Sequence, residues 1–438
     1  MPSVHFTPAS GVRGTLRVPS DKSITHRALM LAGVSGRTVR VSAPLESADT
    51  GATLAAVAAC GVPVHGALAD GEVTIEGAGL RGLRPPPRID CLNAGTLMRL
   101  FPGLLVGQPG ARTVLDGDAS LRRRPMARIA RPLGEMGARL ETSGEGTAPF
   151  AVTGGVPLRG AVHRLAVASA QVKSAILLAG LFAQGETRVH EPVPSRDHTE
   201  RLLAAAGVPM LERDDAVGLR GPVDSLDLPD MRVPADMSAA AAHLVAAALL
   251  ADPEVRFTEL NLNPGRTGLL DVLVRMGVPV RIEAGEDVAG EPCGTVVVGR
   301  APRLRATDVA PGEVPAMIDE LPLVGLLGAM ADGVTTVRGA SELRVKESDR
   351  IAVLVEILTA LGVRAEEHAD GFSVHGGTGV RGGSVDSGGD HRFAMLGAVA
   401  GLVSAEGVTV GDFGAVAVSY PGFAADLAAL CGAPEGGA

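Results

Sequence analysis

The 438-residue sequence has no tryptophan and a single tyrosine, and aromatic residues make up only 2% of it. Platforms for stacking nucleobases are therefore scarce, and a formal net charge of -9 repels a polyanion, so no nucleic-acid partner is expected. Cysteine is sparse too. Cys60, Cys91, Cys293 and Cys431 are scattered through apolar or glycine-rich sequence without metal-ligand spacing, and they read as reduced and buried. His198 and His391 have no second ligand at metal spacing, so no metal is expected. A Walker-type loop and a dinucleotide fingerprint are both missing, which leaves no cofactor to be expected. No basic segment followed by an apolar core opens the chain. The longest apolar run, residues 239–251, is broken by His243 and too short to span a bilayer. A cytoplasmic, monomeric protein with no membrane partner is the resulting expectation.

Lysine is the scarcest charge. Of 40 Lys+Arg residues only Lys22, Lys173 and Lys346 are lysines. Arginine replaces lysine well as a solvated surface charge, but not as a compact, strongly hydrated ammonium against a crowded anion. Each retained lysine lies in a polar cluster beside an apolar helical stretch, at residues 20–23, 169–174 and 344–350. Survival at a salt bridge explains any one of them, whereas the shared setting points to chemistry.

What is present in abundance is repetition. An apolar helical stretch ending in glycine and followed by a β-type run recurs with glycines at 61, 137, 207, 277, 362 and 432, spaced by 70 to 85 residues. Glycine suits the left-handed turn that closes a helix. A hairpin pattern follows, as at 62–65 and 72–76 around Asp70-Gly71. A polar motif then opens an apolar helix: Lys22-Ser23, Asn93-Ala94-Gly95-Thr96, Ser169-Ala170-Gln171, Asp236-Met237-Ser238, Asp319-Glu320 and Asp390-His391-Arg392. Next come a strand, such as 36–41 or 111–115, and a second polar loop before a second helix. The unit thus reads strand, helix, strand, helix, hairpin. The sixth copy ends just past Gly432 without its hairpin, and the β-type runs at 4–7 and 14–18 are expected to complete it. The fold class is α/β (α+β) in two domains of three units each. Residues 21–233 form the N-terminal domain and residues 1–20 with 234–438 the C-terminal one, with crossings near 19–21 and 233–236.

Polar groups at several helix N-termini direct positive dipole ends toward anions. Lys22, Arg27, Arg124, Lys173, Arg196, Lys346, Arg350 and Arg392 add charge to these loops, which suits substrates carrying more than one carboxylate or phosphate. Arg122 and Arg123 read as a solvated run, while Arg124 before Pro125 reads as an anion contact. Asp319, Glu320, Glu347 and Asp349 are placed for acid–base work. Asp319-Glu320 is either a helix cap or catalytic, Glu347 either a helix-face charge or catalytic, and Asp49 and Asp390 either caps or functional.

On Asp21 to Leu29, Asn93 to Thr96, Arg123 to Met126, Ser169 to Gln171, Arg344 to Arg350 and Asp390 to Arg392, nearly the whole chain resembles the enolpyruvyl transferases. Within them it is most similar to the 5-enolpyruvylshikimate-3-phosphate synthase family. The resemblance implies an inside-out α/β barrel of two domains, each of three βαβαββ units, closing over a cleft. It implies transfer of the enolpyruvyl group of phosphoenolpyruvate to the 5-hydroxyl of shikimate 3-phosphate with release of phosphate. Lys22 touches both substrates by that likeness. Ser23, Arg27, Ser169, Ala170, Gln171, Ser195 or Arg196, Asp319 and Lys346 hold shikimate 3-phosphate, and Gly95, Arg124, Gln171, Arg350 and Arg392 hold phosphoenolpyruvate. By the same likeness Asp319 would take the hydroxyl proton and Glu347 would protonate the methylene carbon, and Lys22 counts with them as catalytic.

Some features depart from the family pattern. The late lysine of many members is missing near Gly414, which removes one anion contact. Ser20-Asp21 stands where a glycine is common, and Glu342 where asparagine is; both are expected to lie away from the chemistry. Gly95 is the residue of inhibitor-sensitive members and implies sensitivity to glyphosate. Rival readings fit less well. The UDP-N-acetylglucosamine branch has Lys-Asn in place of Lys22-Ser23 and a loop cysteine near Ala119. The RNA 3′-terminal phosphate cyclases need an adenylylated histidine. A binding-only paralogue would be expected to lose Asp319 or Glu347, and a related cyclohexenol acceptor stays open.

Overall fold

The structure is a computed structural model that describes residues 3–110, 112–213 and 216–432. Ala111, at the start of one expected strand, and Ala433-Pro434, at the end of the sixth helix-glycine signature, lie outside the described residues. Six helices carry the cores: Lys22–Gly33, Gly95–Leu105, Ala170–Gly180, Met237–Leu250, Leu321–Met330 and His391–Val403. Their sequences explain the position. Met237–Leu250, for example, is apolar on every side and almost entirely buried, and such a helix is stable only inside a core. The first three pack within one apolar cluster and the last three within another. Close approach is permitted by small residues, since a Cβ on Gly103 would stand 2.5 Å from the Ala175 carbonyl oxygen of the neighbouring helix.

Four of the core helices, Gly95–Leu105, Ala170–Gly180, Leu321–Met330 and His391–Val403, each link two strands that pair parallel, and in the first three of these copies a hairpin then closes the sheet. In one copy the order is Arg88–Asp90, Gly95–Leu105, Arg112–Asp116, a short extra helical turn Ala119–Arg122, Ala127–Glu135, Arg139–Glu141, Phe150–Thr153. The first strand pairs parallel with the second, and the second pairs antiparallel with the last. A parallel pair needs a crossover, which the helix supplies. The copies that open at Val162–Arg164 and Asp308–Val309 have the same strand order. The six recurring glycines all have positive φ, between 73° and 96°, as a helix-closing left-handed turn requires.

By density of contact the chain divides into two units. One holds Ser20–Pro234 with Asp287–Glu291, and the other holds the residues up to Pro19, Ala235–Glu286 and those from Pro292 on. The opening strands follow a rule that the sequence reading did not contain. Val12–Leu16 pairs parallel with Ala251–Asn261, and Met231–Arg232 pairs parallel with Thr38–Ser42. Each of these strands finishes the unit that the chain is about to leave. Only Val4–Phe6, antiparallel to Val408–Gly411, completes the sixth copy, as a three-stranded sheet. The expectation that both early runs close that copy is therefore corrected: Val12–Leu16 opens the fourth.

The segment Asp287–Glu291, read as part of the second domain, packs with the first unit instead. His198 Nδ1 lies 2.7 Å from Glu291 Oε1 with both side chains buried, Arg201 Nη1 donates to the Gly290 carbonyl (2.9 Å), and Val288 and Ala289 touch that unit's core. Cys60, Cys91 and Cys293 are buried free thiols, while Cys431 is only partly buried. Among the described residues no helix is long and apolar enough to cross a membrane.

Candidate active site

In the first unit the polar motifs occupy the first turns of its three core helices. Asp21 caps Lys22–Gly33 by accepting from the Ile24 amide at 2.8 Å, and Ser169 caps Ala170–Gly180. Lys22 Nζ is ion-paired with Asp49. Asp49 is not a cap, because Ser47 fills that place in a capping box with Thr50. Arg27 is buried. Its Nε donates to Thr199 Oγ1 (2.7 Å), Nη2 to Ser174 Oγ (2.9 Å) and Nη1 to the Ser23 carbonyl (3.0 Å). Burial lowers its pKa to about 10.

Gln171 joins the second and third helices, accepting from Arg99 Nη1 at 2.7 Å and donating to Thr96 Oγ1 at 3.3 Å. Arg124 donates to Asn93 Oδ1 at 3.1 Å, and its Nη1 lies 3.2 Å from the position of a Cβ on Gly95. Lys22, Ser23, Arg27, Gly95, Arg124, Ser169, Ala170 and Gln171 thus belong to one connected region. Ser195 is tied to the same region through Glu191, which accepts from Ser195 Oγ (2.5 Å) and from the Ser169 amide (3.1 Å). Arg196 follows it, half-buried, just before the helix His198–Ala205.

In the second unit charge dominates. Arg350, 1% exposed, donates from Nε to Asp390 Oδ2 (2.8 Å), from Nη1 to Asp319 Oδ1 (3.1 Å) and from Nη2 to Glu347 Oε2 (2.7 Å). Burial alone lowers the guanidinium pKa, but Asp319, Asp390 and Glu347 outweigh it and raise it above the ordinary value. Burial raises the Glu347 carboxyl pKa, and Arg350 reverses this to hold it below the usual range. Lys346 Nζ lies 3.6 Å from Asp319 Oδ1. Arg392 Nη2 donates to Ser238 Oγ (2.9 Å) and lies 3.9 Å from Asp319 Oδ2, and Ser238 Oγ donates to Glu320. All three helix starts of this unit are therefore joined.

Several alternatives resolve here. Asp390 is both a cap, accepting from the Arg392 amide at 3.0 Å, and a partner of Arg350. Glu320 occupies the cap position of its helix without a capping bond, so it is not a side-chain cap. Arg122 is paired with Asp116 through two bonds of 2.8 and 2.7 Å rather than merely solvated. Glu342 does not lie away from the assigned residues, since its carboxylate is 3.9 Å from Lys346 Nζ. Lys173 is 3% exposed and clamped between Glu191 (2.7 Å) and Glu200 (2.8 Å), so its chemistry is internal. Glu191, Arg99 and Arg128 escaped the sequence reading. Thr199 and Glu200 carried a usable signal, being part of or next to the second polar loop of their copy.

A family model described as EPSP synthase (3-phosphoshikimate 1-carboxyvinyltransferase) matches residues 6–427. The chain is 48% identical over 437 residues to a 3-phosphoshikimate 1-carboxyvinyltransferase of Thermus thermophilus, across 99% of this chain and 100% of the relative. It is 46% identical over 420 residues to that of Alkalilimnicola ehrlichii, across 96% and 93%. The solved EPSP synthase from Acinetobacter baumannii is similar with a TM-score of 0.89 and 39% identity over 97% of each chain. The enolpyruvyl transferase NikO from Streptomyces tendae shares the fold, with a TM-score of 0.76 at 20% identity over 98% of this chain and 97% of that one. A match running from residue 6 to residue 427, with relatives nearly half identical along their length, places this chain in the EPSP synthase family.

Proposed function

We infer that the chain transfers the enolpyruvyl group of phosphoenolpyruvate to the 5-hydroxyl of shikimate 3-phosphate, releasing phosphate on the route to chorismate and aromatic amino acids. The observation that carries this is the 48% identity, over 99% of the chain, to a relative named for that activity. The site geometry supports it, because two carboxylates suited to acid and base work share one buried arginine.

Arg350 favours the ionised form of Glu347 while the two are paired; once an anionic group of phosphoenolpyruvate displaces Glu347 from Arg350, Glu347 takes up a proton and gives it to the methylene carbon, which makes C2 electrophilic. The 5-hydroxyl oxygen bonds to C2 while its proton passes to Asp319. The tetrahedral adduct then breaks its C2–O bond to phosphate, which leaves with the proton from Asp319. The new methyl returns a proton to Glu347 and the double bond reforms. Lys22, Arg124, Arg350 and Arg392 steady the anionic groups of phosphoenolpyruvate, with Gly95 and Gln171 shaping their surroundings. Ser23, Arg27, Ser169, Ala170, Gln171, Ser195, Arg196, Asp319 and Lys346 hold the acceptor with its phosphate, and Lys22 contacts both substrates.

A monomer in the cytoplasm belongs to the same proposal, since both substrates are phosphorylated anions that a membrane retains; light scattering and cell fractionation test it. The decisive experiment mixes purified protein with both substrates and follows phosphate release. Release that requires both compounds is expected. Release from phosphoenolpyruvate with a different cyclohexenol, and none with shikimate 3-phosphate, would replace the acceptor.

A further inference from the structure

Lys173 is the one retained lysine with no substrate role in the mechanism above, yet it is the most elaborately held of the three. Its ammonium meets Glu191 Oε2 at 2.7 Å, Glu200 Oε1 at 2.8 Å and the Ser195 carbonyl at 3.2 Å. An ammonium has three N–H donors on one nitrogen, and here three acceptors surround it. A planar guanidinium cannot reproduce that arrangement in so enclosed a place, which explains a lysine in a chain that otherwise uses arginine. Burial pulls the Lys173 pKa down, but Glu200 and Glu191 overcome it and keep the group charged.

The charge is needed because Glu191 is itself enclosed and has a task. Its carboxylate accepts from the Ser195 hydroxyl (2.5 Å), the Ser195 amide (3.2 Å) and the Ser169 amide (3.1 Å). It thereby joins the start of one core helix to the loop before His198–Ala205. From the other side Thr199 Oγ1 donates to Ser174 Oγ at 2.7 Å, and Ser174 Oγ donates to the Ala170 carbonyl at 2.6 Å. Glu200, one residue along, closes the circuit onto Lys173.

We propose that Lys173, Glu191 and Glu200 form a buried positioning assembly that fixes Ser169 and Ser195 for recognition of the acceptor's phosphate. This rests on the assignment of those serines to shikimate 3-phosphate. None of the three touches substrate. Their loss loosens two segments that hold the acceptor and leaves Arg124, Arg350 and Arg392, the arginines proposed for phosphoenolpyruvate, in place.

The test uses Lys173→Arg and Glu191→Gln beside the parent enzyme. Steady-state kinetics are measured for each substrate, and amide hydrogen exchange is followed across 168–172 and 191–200 without substrate. KM for shikimate 3-phosphate is expected to rise about tenfold while KM for phosphoenolpyruvate stays within about twofold. Exchange in both segments is expected to quicken. Unchanged exchange, or an equal rise in both KM values, overturns the proposal. If Lys173→Arg does not fold, Glu191→Gln, which keeps an oxygen acceptor, decides alone. A parent enzyme without turnover would sink the activity, and the exchange data would still decide the assembly.

Discussion

Arg27, in the core helix Lys22–Gly33, and Arg350, at the start of the helix Arg350–Ala360, are both buried arginines, one in each unit, and their surroundings are opposite. Among the described residues Arg27 donates only to hydroxyls and a carbonyl, and its pKa is lowered to about 10. Arg350 is enclosed by three carboxylates that raise its pKa. A guanidinium held by neutral groups keeps its charge for an incoming anion. One already paired binds an anion only by exchange, and the exchange releases a carboxylate. On the proposed roles the first unit is built to recognise, and the second to couple recognition to proton transfer.

The sharpest way to break that division is at the proton-transfer groups. Asp319→Asn and Glu347→Gln each are expected to lower the rate of phosphate release by about 10²–10⁴-fold, the usual weight of a positioned acid or base. Both keep an oxygen acceptor for Arg350, so folding is expected to survive. Retention of a near-parental rate in either would move acid–base chemistry out of the second unit.

Stability separates the arginines next. Arg350→Met leaves Asp319, Glu347 and Asp390 without their shared cation and should cost about 3–5 kcal/mol. Arg27→Met leaves neutral acceptors and should cost about 1–3 kcal/mol. Urea unfolding of the two variants measures the difference, and equal losses would remove the contrast.

A pH effect follows from His243, which is enclosed in the second unit's core with its pKa lowered by burial to about 4. The unfolded chain binds this proton near pH 6.5, whereas the folded chain resists it down to about 4. Its contribution is therefore complete above pH 6.5 and is lost as pH falls toward 4, the loss amounting to about 2 kcal/mol by pH 5. His243→Leu should flatten the fall in melting temperature between these limits; an unchanged slope would assign the acid sensitivity to other groups, such as His26 in the first unit, whose pKa is also lowered by burial.

Much of this organisation was legible in the sequence because it is written in repeated local signals. The six helix-closing glycines and the polar first turns each depend on one or two residues, and a repeat displays them six times. Pairing partners were less accessible. Met231–Arg232 is a two-residue strand whose place depends on the long-range register with Thr38–Ser42, and nothing in its own pattern announces that partner. The short loop Asp287–Glu291 has no periodicity either, so its attachment through Glu291 to His198 had no sequence signal. Lysine scarcity pointed equally to Lys22, Lys346 and Lys173, and Lys173 lies in an internal ion cluster, which selects an ammonium as strictly as a substrate would.

The smallest expected effect lies at Gly95, proposed above to lie beside phosphoenolpyruvate. A Cβ there would stand 3.2 Å from Arg124 Nη1 and 3.3 Å from Arg99 Nη1. Both neighbours are ends of flexible side chains, so Gly95→Ala should fold with stability within about 1 kcal/mol of the parent. Moving Arg124 by a few tenths of an ångström weakens an anion contact, and KM for phosphoenolpyruvate should rise by about threefold to tenfold. Glyphosate has one more atom between its carboxylate and phosphonate than phosphoenolpyruvate has between carboxylate and phosphate, so a narrowed site penalises it more. The parent enzyme should be inhibited at glyphosate concentrations comparable to its KM for phosphoenolpyruvate, and Gly95→Ala should raise the inhibitory concentration by more than it raises that KM. Equal shifts would mean that the methyl disturbs the shared arginine contact alone, and a parent inhibited only far above its KM would mean that something other than Gly95 governs inhibitor access.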